Sequence, residues 1–461
     1  MRTIRNSVLL ALCFFLPTVI NAQNRPTLVE VATRFYSNYL FVQDDTYCLF
    51  QKKKDGWYVV EDYYSNPGNY VNQQLFWSAI NKSYQPLSYP SALFDSGKVK
   101  DMVANYLITI DWDADRYNFE RNRYYGYPGW DWDVINDSIK KNDLNDTLLE
   151  SLGRAYSNYA SGFLIEQYGN HFENNDPDRK TLSDTETVSQ SRINKFIFYE
   201  NKSIEMYKEL LKRNPNYDTK VGNIAIKYSN EHLYPYSDLL MAGDSADSKI
   251  FLEGVDYPDS LLALSKTLLD VTPLNAILIT AGDNDTYPLW YLQEKKNYRK
   301  DVLVINISLL GLRRYINMLD KEFKGTLFTT KSNVYFKNNF DYYVQIPDTG
   351  DVPRMSVGKF IDTLNNMPDN GNDNSIYMYK GERLKRFVTK QLFFNNEQHG
   401  PDQSVVSQKT VVLKDYIVMN KFMLLDIINH NLGKRPIFFT YKEDVVSDFL
   451  TEHDYVEEFD L

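Results

Sequence analysis

Two carboxylates, an amide and a hydroxyl crowd into one sharp turn, Gly282-Asp283-Asn284-Asp285-Thr286. The turn follows an apolar run, residues 276–281, and opens a helix-length segment that reaches residue 293. A second apolar run, residues 302–307, comes next, with Asn306 and Ser308 at its end. Apolar runs separated by a helix predict a βαβ unit with parallel neighbours. Open α/β sheets hold ligands at the carboxyl ends of such strands. Asp283, Asn284, Asp285, Asn306 and Ser308 are therefore expected along one edge, where they can hold a cation or the hydroxyls of a sugar. Arg435 precedes a closing strand at 437–441 and can pair with a carboxylate such as Asp283 or bind an anionic ligand. Capping of the following helix accounts for Asp285 or Thr286 and leaves Asp283 and Asn284 unexplained.

Other chemistries are excluded by their missing parts. The turn has one glycine, no lysine and two negative charges, so it is not a phosphate loop. Asp111, Asp113 and Asp115 have the spacing of a calcium loop. Arg116 stands where glycine is needed and Asn122 where a glutamate is, so a solvated acidic turn is expected. His171, His232, His399, His430 and His453 are scattered without metal-ligand spacing, and no serine sits in a Gly-x-Ser-x-Gly elbow. No catalytic residue, metal site or cofactor is assigned. The formal net charge of -10, with no dense basic run, argues against nucleic acid as a partner. The 36 tyrosines can fill helix interfaces or stack on sugar faces, so tyrosine content alone does not choose between them.

The elements that must position the acidic turn are read from periodicity. Leu28, Ala32, Phe35 and Tyr39 recur at helical spacing over 27–40, with Pro26 at a first helical position. Asp55-Gly56 between alternating runs marks a hairpin. Residues 75–84 are expected to be helical, and 99–110 fit helix or strand. Residues 124–133 mix aromatics with glycine and proline and predict a packed loop. Leu148, Leu152, Ala155, Tyr159 and Phe163 share one helix face. Within it, Leu152-Gly153-Arg154-Ala155-Tyr156 resembles the first helix of a tetratricopeptide repeat, and Ser203, Tyr207, Leu210 and Pro215 resemble its second. The polar stretch 174–191 between them predicts a mobile loop. Further helices are expected at 220–240, 259–269, 313–323, 383–394 and 413–429, with one or two strands within 334–346. The organisation that follows is a small α+β element at 23–110, a helical, tetratricopeptide-like region at 111–250, and an α/β domain at 251–461. The last is expected to be Rossmann-like, a mostly parallel sheet covered by helices.

Arg2 and Arg5 precede an apolar run, residues 8–20, followed by Asn21-Ala22-Gln23. This reads as a signal peptide, residues 1–22, too short and too interrupted by Pro17 to span a bilayer. No other segment is long and apolar enough, so the mature chain is expected to have no transmembrane span and to be soluble and exported, periplasmic or beyond. Cys13 leaves with the signal. Cys48 is then alone, cannot form an internal disulfide, and is expected to be a buried structural thiol.

Residues 282–293, residues 301–310 and the block Lys434-Arg435-Pro436-Ile437-Phe438-Phe439 carry a resemblance in that order. They are similar to the soluble C-terminal domain of bacterial membrane proteins of the protein O-mannosyltransferase-like family. The similarity spans residues 260–441. Lys300 stands where that family often has proline, residues 311–314 depart from its pattern, and its membrane spans, which would hold the glycosyl-transfer site, have no counterpart here. The resemblance implies a fold and a place beside a glycosylation pathway, and it carries over no catalytic residue. The expected function is an exported accessory protein that binds a glycan or an envelope protein partner. A carbohydrate-active enzyme using residues 283–285 and an envelope-complex scaffold are the alternatives.

Overall fold

The computed structural model describes residues 25–440 except 43–44, 64–67, 69, 110–111, 139–143, 165–174, 180–181, 183–186, 220–221, 332–342, 346–353, 367–375, 380–381, 387–388, 390, 395–408 and 414–415. The expected signal peptide and most of the expected strand region 334–346 lie outside the described residues.

The N-terminal unit packs a helix on an antiparallel sheet. Helix α1 (Leu28–Asn38) opens with a capping box: Glu30 N–H donates to the Thr27 hydroxyl at 3.2 Å, and Thr27 N–H donates to the Glu30 carboxylate at 2.7 Å. Thr27 is therefore the cap, and Pro26 lies outside the helix. Strands β1 (Thr46–Lys53) and β2 (Gly56–Tyr63) form the expected hairpin. Strands β3 (Asn72–Ser78) and β4 (Ser83–Tyr84) complete a four-stranded sheet. The helix expected over 75–84 is thus replaced by strands. Leu75 and Trp77 pair with β2, and that tertiary pairing overrides a helix-compatible local pattern. Helices α2 (Ser96–Thr109) and α3 (Trp112–Arg121) follow, so the backbone of the expected acidic turn at 111–115 is largely helical. Phe35, Phe50, Trp57, Phe76 and Tyr106 centre the core, and Cys48 is a buried free thiol.

The central unit is helical: α4 (Trp130–Ser138), α5 (Asp146–Ser161), α6 (Gln190–Arg213), α7 (Ile224–Met241) and the short α8 (Ser245–Ser248). Only the first part of 124–133 is a loop; its Tyr124 is buried, and its Tyr125 ring lies 5.1 Å from that of Trp130 in α4. Helices α5 and α6 meet where Gly153 faces Tyr207. A Cβ at 153 would lie 2.5 Å from the Tyr207 ring, so glycine permits the close approach. That contact is the physical content of the repeat-like pattern. In the stretch expected to be mobile, Arg179 is buried in a 3-10 turn and its Nη2 lies 3.1 Å from Asp131 of α4, so this part is anchored.

The C-terminal unit begins with α9 (Asp259–Val271), β5 (Ile277–Thr280), α10 (Asp283–Lys296), β6 (Leu303–Asn306) and α11 (Arg313–Phe323). Strands β5 and β6 are parallel neighbours, with Ile277 opposite Leu303 and Thr280 opposite Asn306. Then come β7 (Tyr343–Gln345), β8 (Met355–Ser356), α12 (Val357–Asn366), β9 (Ile376–Tyr379), β10 (Glu382–Arg386), β11 (Gln391–Phe394), β12 (Lys409–Val412) and β13 (Tyr416–Val418). Helix α13 (Met419–Asn431) and β14 (Ile437–Phe439) close the described chain. Strand β14 joins the other side of β5, again parallel, so the order is β14-β5-β6.

Helices and small sheets are mixed here, and some of the strands are parallel. The expected Rossmann-like sheet is not seen as one layer: the remaining strands form two separate small sheets, β13-β7-β10-β9 and β12-β11-β8. Residues 383–394, expected as a helix, supply β10 and β11, and the helix expected from 413 begins at Met419 after β13. Helix α13 is buried around its whole circumference through Phe422, Met423, Leu424 and Leu425, as a helix enclosed by other elements must be.

Candidate ligand-binding cleft

The acidic turn divides its residues between two jobs. Gly282 leaves β5 at φ 76, a conformation that favours glycine, and is the N-cap of α10. Helix α10 starts at Asp283, so Asp285 and Thr286 lie inside its first turn and do not cap it. The Asp285 carboxylate accepts from Ala281 N–H at 2.8 Å and from the Thr440 hydroxyl, tying β5 to the residue after β14. Thr286 donates to the Gly282 carbonyl at 2.7 Å. Asn306 is 1% exposed, and its Oδ1 accepts from Ser308 N–H at 2.9 Å and Gly282 N–H at 3.4 Å. It links the ends of β5 and β6, while Ser308 is exposed on the next 3-10 turn. Arg435 sits at the opposite, amino end of the sheet, on the carbonyls of Asn275, Ala276 and Asp301. It stitches the three strand starts together and does not share an edge with Asp283.

Asp283 and Asn284 turn toward the helical unit. Asn230 Nδ2 of α7 donates to Asn284 Oδ1 at 2.7 Å, and the Tyr257 hydroxyl holds Asn230 Oδ1 at 2.7 Å. Between α5, α7 and the start of α10 lies a cleft of about 370 Å³, lined by Ser157, Lys227, Asn230, Glu231, Tyr234, Asp283 and Asn284. That volume falls within the roughly 300–1,000 Å³ of small-molecule sites. Helix α7 supplies most of the wall because Lys227, Glu231, Tyr234 and Asp238 recur at helical spacing and form one polar stripe. Pro235 lies inside this helix and has no N–H, so the helical bond to the Glu231 carbonyl is absent.

The charges in the cleft are unequal in their commitments. Lys227 pairs with Glu231 Oε1 and lies 5.0 Å from the Tyr207 ring centre, and Ser203 donates to Glu231 Oε2 at 3.0 Å. Each Glu231 oxygen therefore has a partner, although Ser203 shares its proton with the Gly153 carbonyl at 2.9 Å. Asp283 keeps exposed surface, yet crowding by the two units raises its pKa. Desolvation is the main cause and Glu231 adds to it, against the pull of Lys227 and a hydrogen bond with Tyr287. Asp238, behind Tyr234, is pushed up to about 7 by burial, with its Tyr234 hydrogen bond opposing. Glu200 of α6 is 0% exposed; Ser157 donates to its Oε1 at 3.3 Å, and its Oε2 has no partner. Burial, then the negative charges of Glu231 and Asp238, hold it well above the ordinary glutamate range. The Tyr207 hydroxyl nearby is likewise buried without a partner. Among the described residues no cluster of His, Cys, Asp or Glu could hold a metal ion.

Of the six residues singled out in the sequence, only Asp283 and Asn284 line this cleft. Ser157, Lys227, Asn230, Glu231, Tyr234 and Glu200 were missed. The available signal was the polar stripe of α7, unusual in a helix with so many buried positions. A family model described as TMEM260-associated domain 2 matches residues 262–458. The match contains Asp283 and Asn284 and excludes the α5 and α7 residues of the cleft. No curated protein gives a match. No solved structure does either. No described helix is long and apolar enough to cross a membrane.

Proposed function

We propose that the chain is an exported accessory protein that binds a glycan in the cleft between α5, α7 and α10. The observation that carries this reading is the lining: two hydroxyls, two amides, two carboxylates and one ammonium, with more polar than apolar surface. Such a set offers donors and acceptors to a ligand rich in hydroxyls and has no cationic cluster for a phosphate. The family match supports a glycosylation context, because TMEM260 is an O-mannosyltransferase-like membrane protein. Export rests on the basic and apolar pattern of residues 1–22. A hydrolase reading is less well supported. Most glycosidases need two carboxylates for acid, base or nucleophile roles, and here Asp285 is fixed in the sheet while both Glu231 oxygens are occupied. Incubation of the mature chain on an array of neutral and acidic glycans tests the proposal. Retention of neutral glycans is expected, and an array blank for neutral glycans would overturn it.

A further inference from the structure

We infer that the cleft grips one sugar unit by two adjacent hydroxyls, one donating to Asp283 and the other accepting from Lys227. This rests on the glycan-binding reading and goes beyond it, to the part of the ligand that is recognised. The hydrogen-bonding capacity left over in the cleft selects these two groups. Asn230 is engaged on both sides, by Asn284 and Tyr257. Tyr234 shares a 2.7 Å hydrogen bond with Ser161 and another with Asp238. Glu231 is buried, 4% exposed, and its charge is already paired with Lys227.

Lys227 keeps spare N–H donors, since an ammonium has three. Asp283 keeps acceptor capacity beyond its Tyr287 bond, since a carboxylate has about four lone-pair sites. The two line the same cleft, and the charge of Lys227 acts on Asp283. A donor and an acceptor lining one cleft match neighbouring hydroxyls, each of which both gives and takes a hydrogen bond. A monocation or a monoanion would meet one of the two groups with the wrong sign.

The wall behind the cleft holds one further unfilled polar position. Ser157, on the wall, spends its proton on Glu200, so its lone pairs remain for the cleft. Glu200 Oε2 behind it is fully buried and lacks a partner, which native structures rarely tolerate.

The test uses the full mature chain and saturation-transfer NMR with methyl α-glucoside, methyl α-mannoside and methyl α-galactoside, then the monodeoxy derivatives of whichever binds. Loss of either of two adjacent hydroxyls should weaken binding at least tenfold, while loss of a remote ring hydroxyl should change it less than threefold. Asp283→Asn and Lys227→Met should each weaken the parent glycoside at least tenfold. Because Lys227→Met strands the Glu231 carboxylate, the double variant Lys227→Met/Glu231→Gln is measured beside it and should show the same loss. If a glycoside binds but all monodeoxy forms bind alike, or if these variants keep its affinity, the two-hydroxyl grip is wrong and glycan binding stands. If no glycoside binds while the array retains neutral glycans, the grip on a single sugar unit is wrong; if the array is blank as well, glycan binding itself fails.

Discussion

Glu150 and Glu200 stand on packed partner helices, α5 and α6, and neither has any exposed surface. Their surroundings differ. Glu150 accepts from Arg154 at 3.1 and 2.9 Å, from Arg121 at 3.3 Å and from the Tyr217 hydroxyl at 2.8 Å. Glu200 accepts from Ser157 alone, at 3.3 Å, and one of its oxygens has no partner. Burial of a carboxylate is repaid only when its lone pairs are filled. The Glu150 end of the helix pair is therefore a completed staple, whereas the Glu200 end is unfinished and lies directly behind the cleft. The two aspartates of the acidic turn repeat the contrast: Asp285 is bonded into the sheet, and Asp283 faces the cleft.

The largest expected effect is on the completed side. Glu150→Ala would leave two arginines that are only 16% and 13% exposed without their counter-charge. A loss of about 3–5 kcal/mol is predicted, read by urea unfolding. A loss under about 1 kcal/mol would erase the distinction between the two ends.

A smaller and pH-dependent effect is expected at Glu200. Burial raises its folded pKa above the ordinary 4.5, so between the two values the folded chain holds a proton that the unfolded chain has released. Below 4.5 the wild type and Glu200→Gln should be about equally stable. As pH rises above 4.5 the wild type should lose stability relative to the variant, with a slope approaching about 1.4 kcal/mol per pH unit, until the folded pKa is passed. Unfolding free energies of both proteins over a pH series give this difference. A flat difference would mean that Glu200 is ionised in the folded chain and finds partners there.

Local signals were legible in the sequence. Asp55-Gly56 marked the hairpin, and the apolar runs around residues 277 and 303 marked the parallel pair with Asp283 and Asn306 at its carboxyl end. Segments 75–84 and 383–394 were misread as helices because their apolar spacing fits both periods, and only pairing with distant strands decides the outcome. Of the candidate site, only the α10 side was visible. Its other wall comes from α5 and α7, which tertiary packing brings against α10 through a core shared with Tyr287 and Tyr291. The spare or missing partners of Lys227 and Glu200 appear only once every neighbour is in place. Arg435 was misplaced for the same reason: pairing with Asp283 assumed one end of the sheet, while the register of β14 on β5 puts it at the other.

The central claim is that Asp283 serves a ligand while Asp285, two residues on, serves the fold. Parallel measurement of thermal unfolding and neutral-glycan retention for Asp283→Asn and Asp285→Ala tests it most directly. Asp283→Asn should lose retention with a nearly unchanged melting temperature. Asp285→Ala should retain glycan when folded and lose about 1–3 kcal/mol of stability, because Ala281 N–H and the Thr440 hydroxyl lose their acceptor. If the two variants behave alike in both measurements, the division of labour within the turn is contradicted.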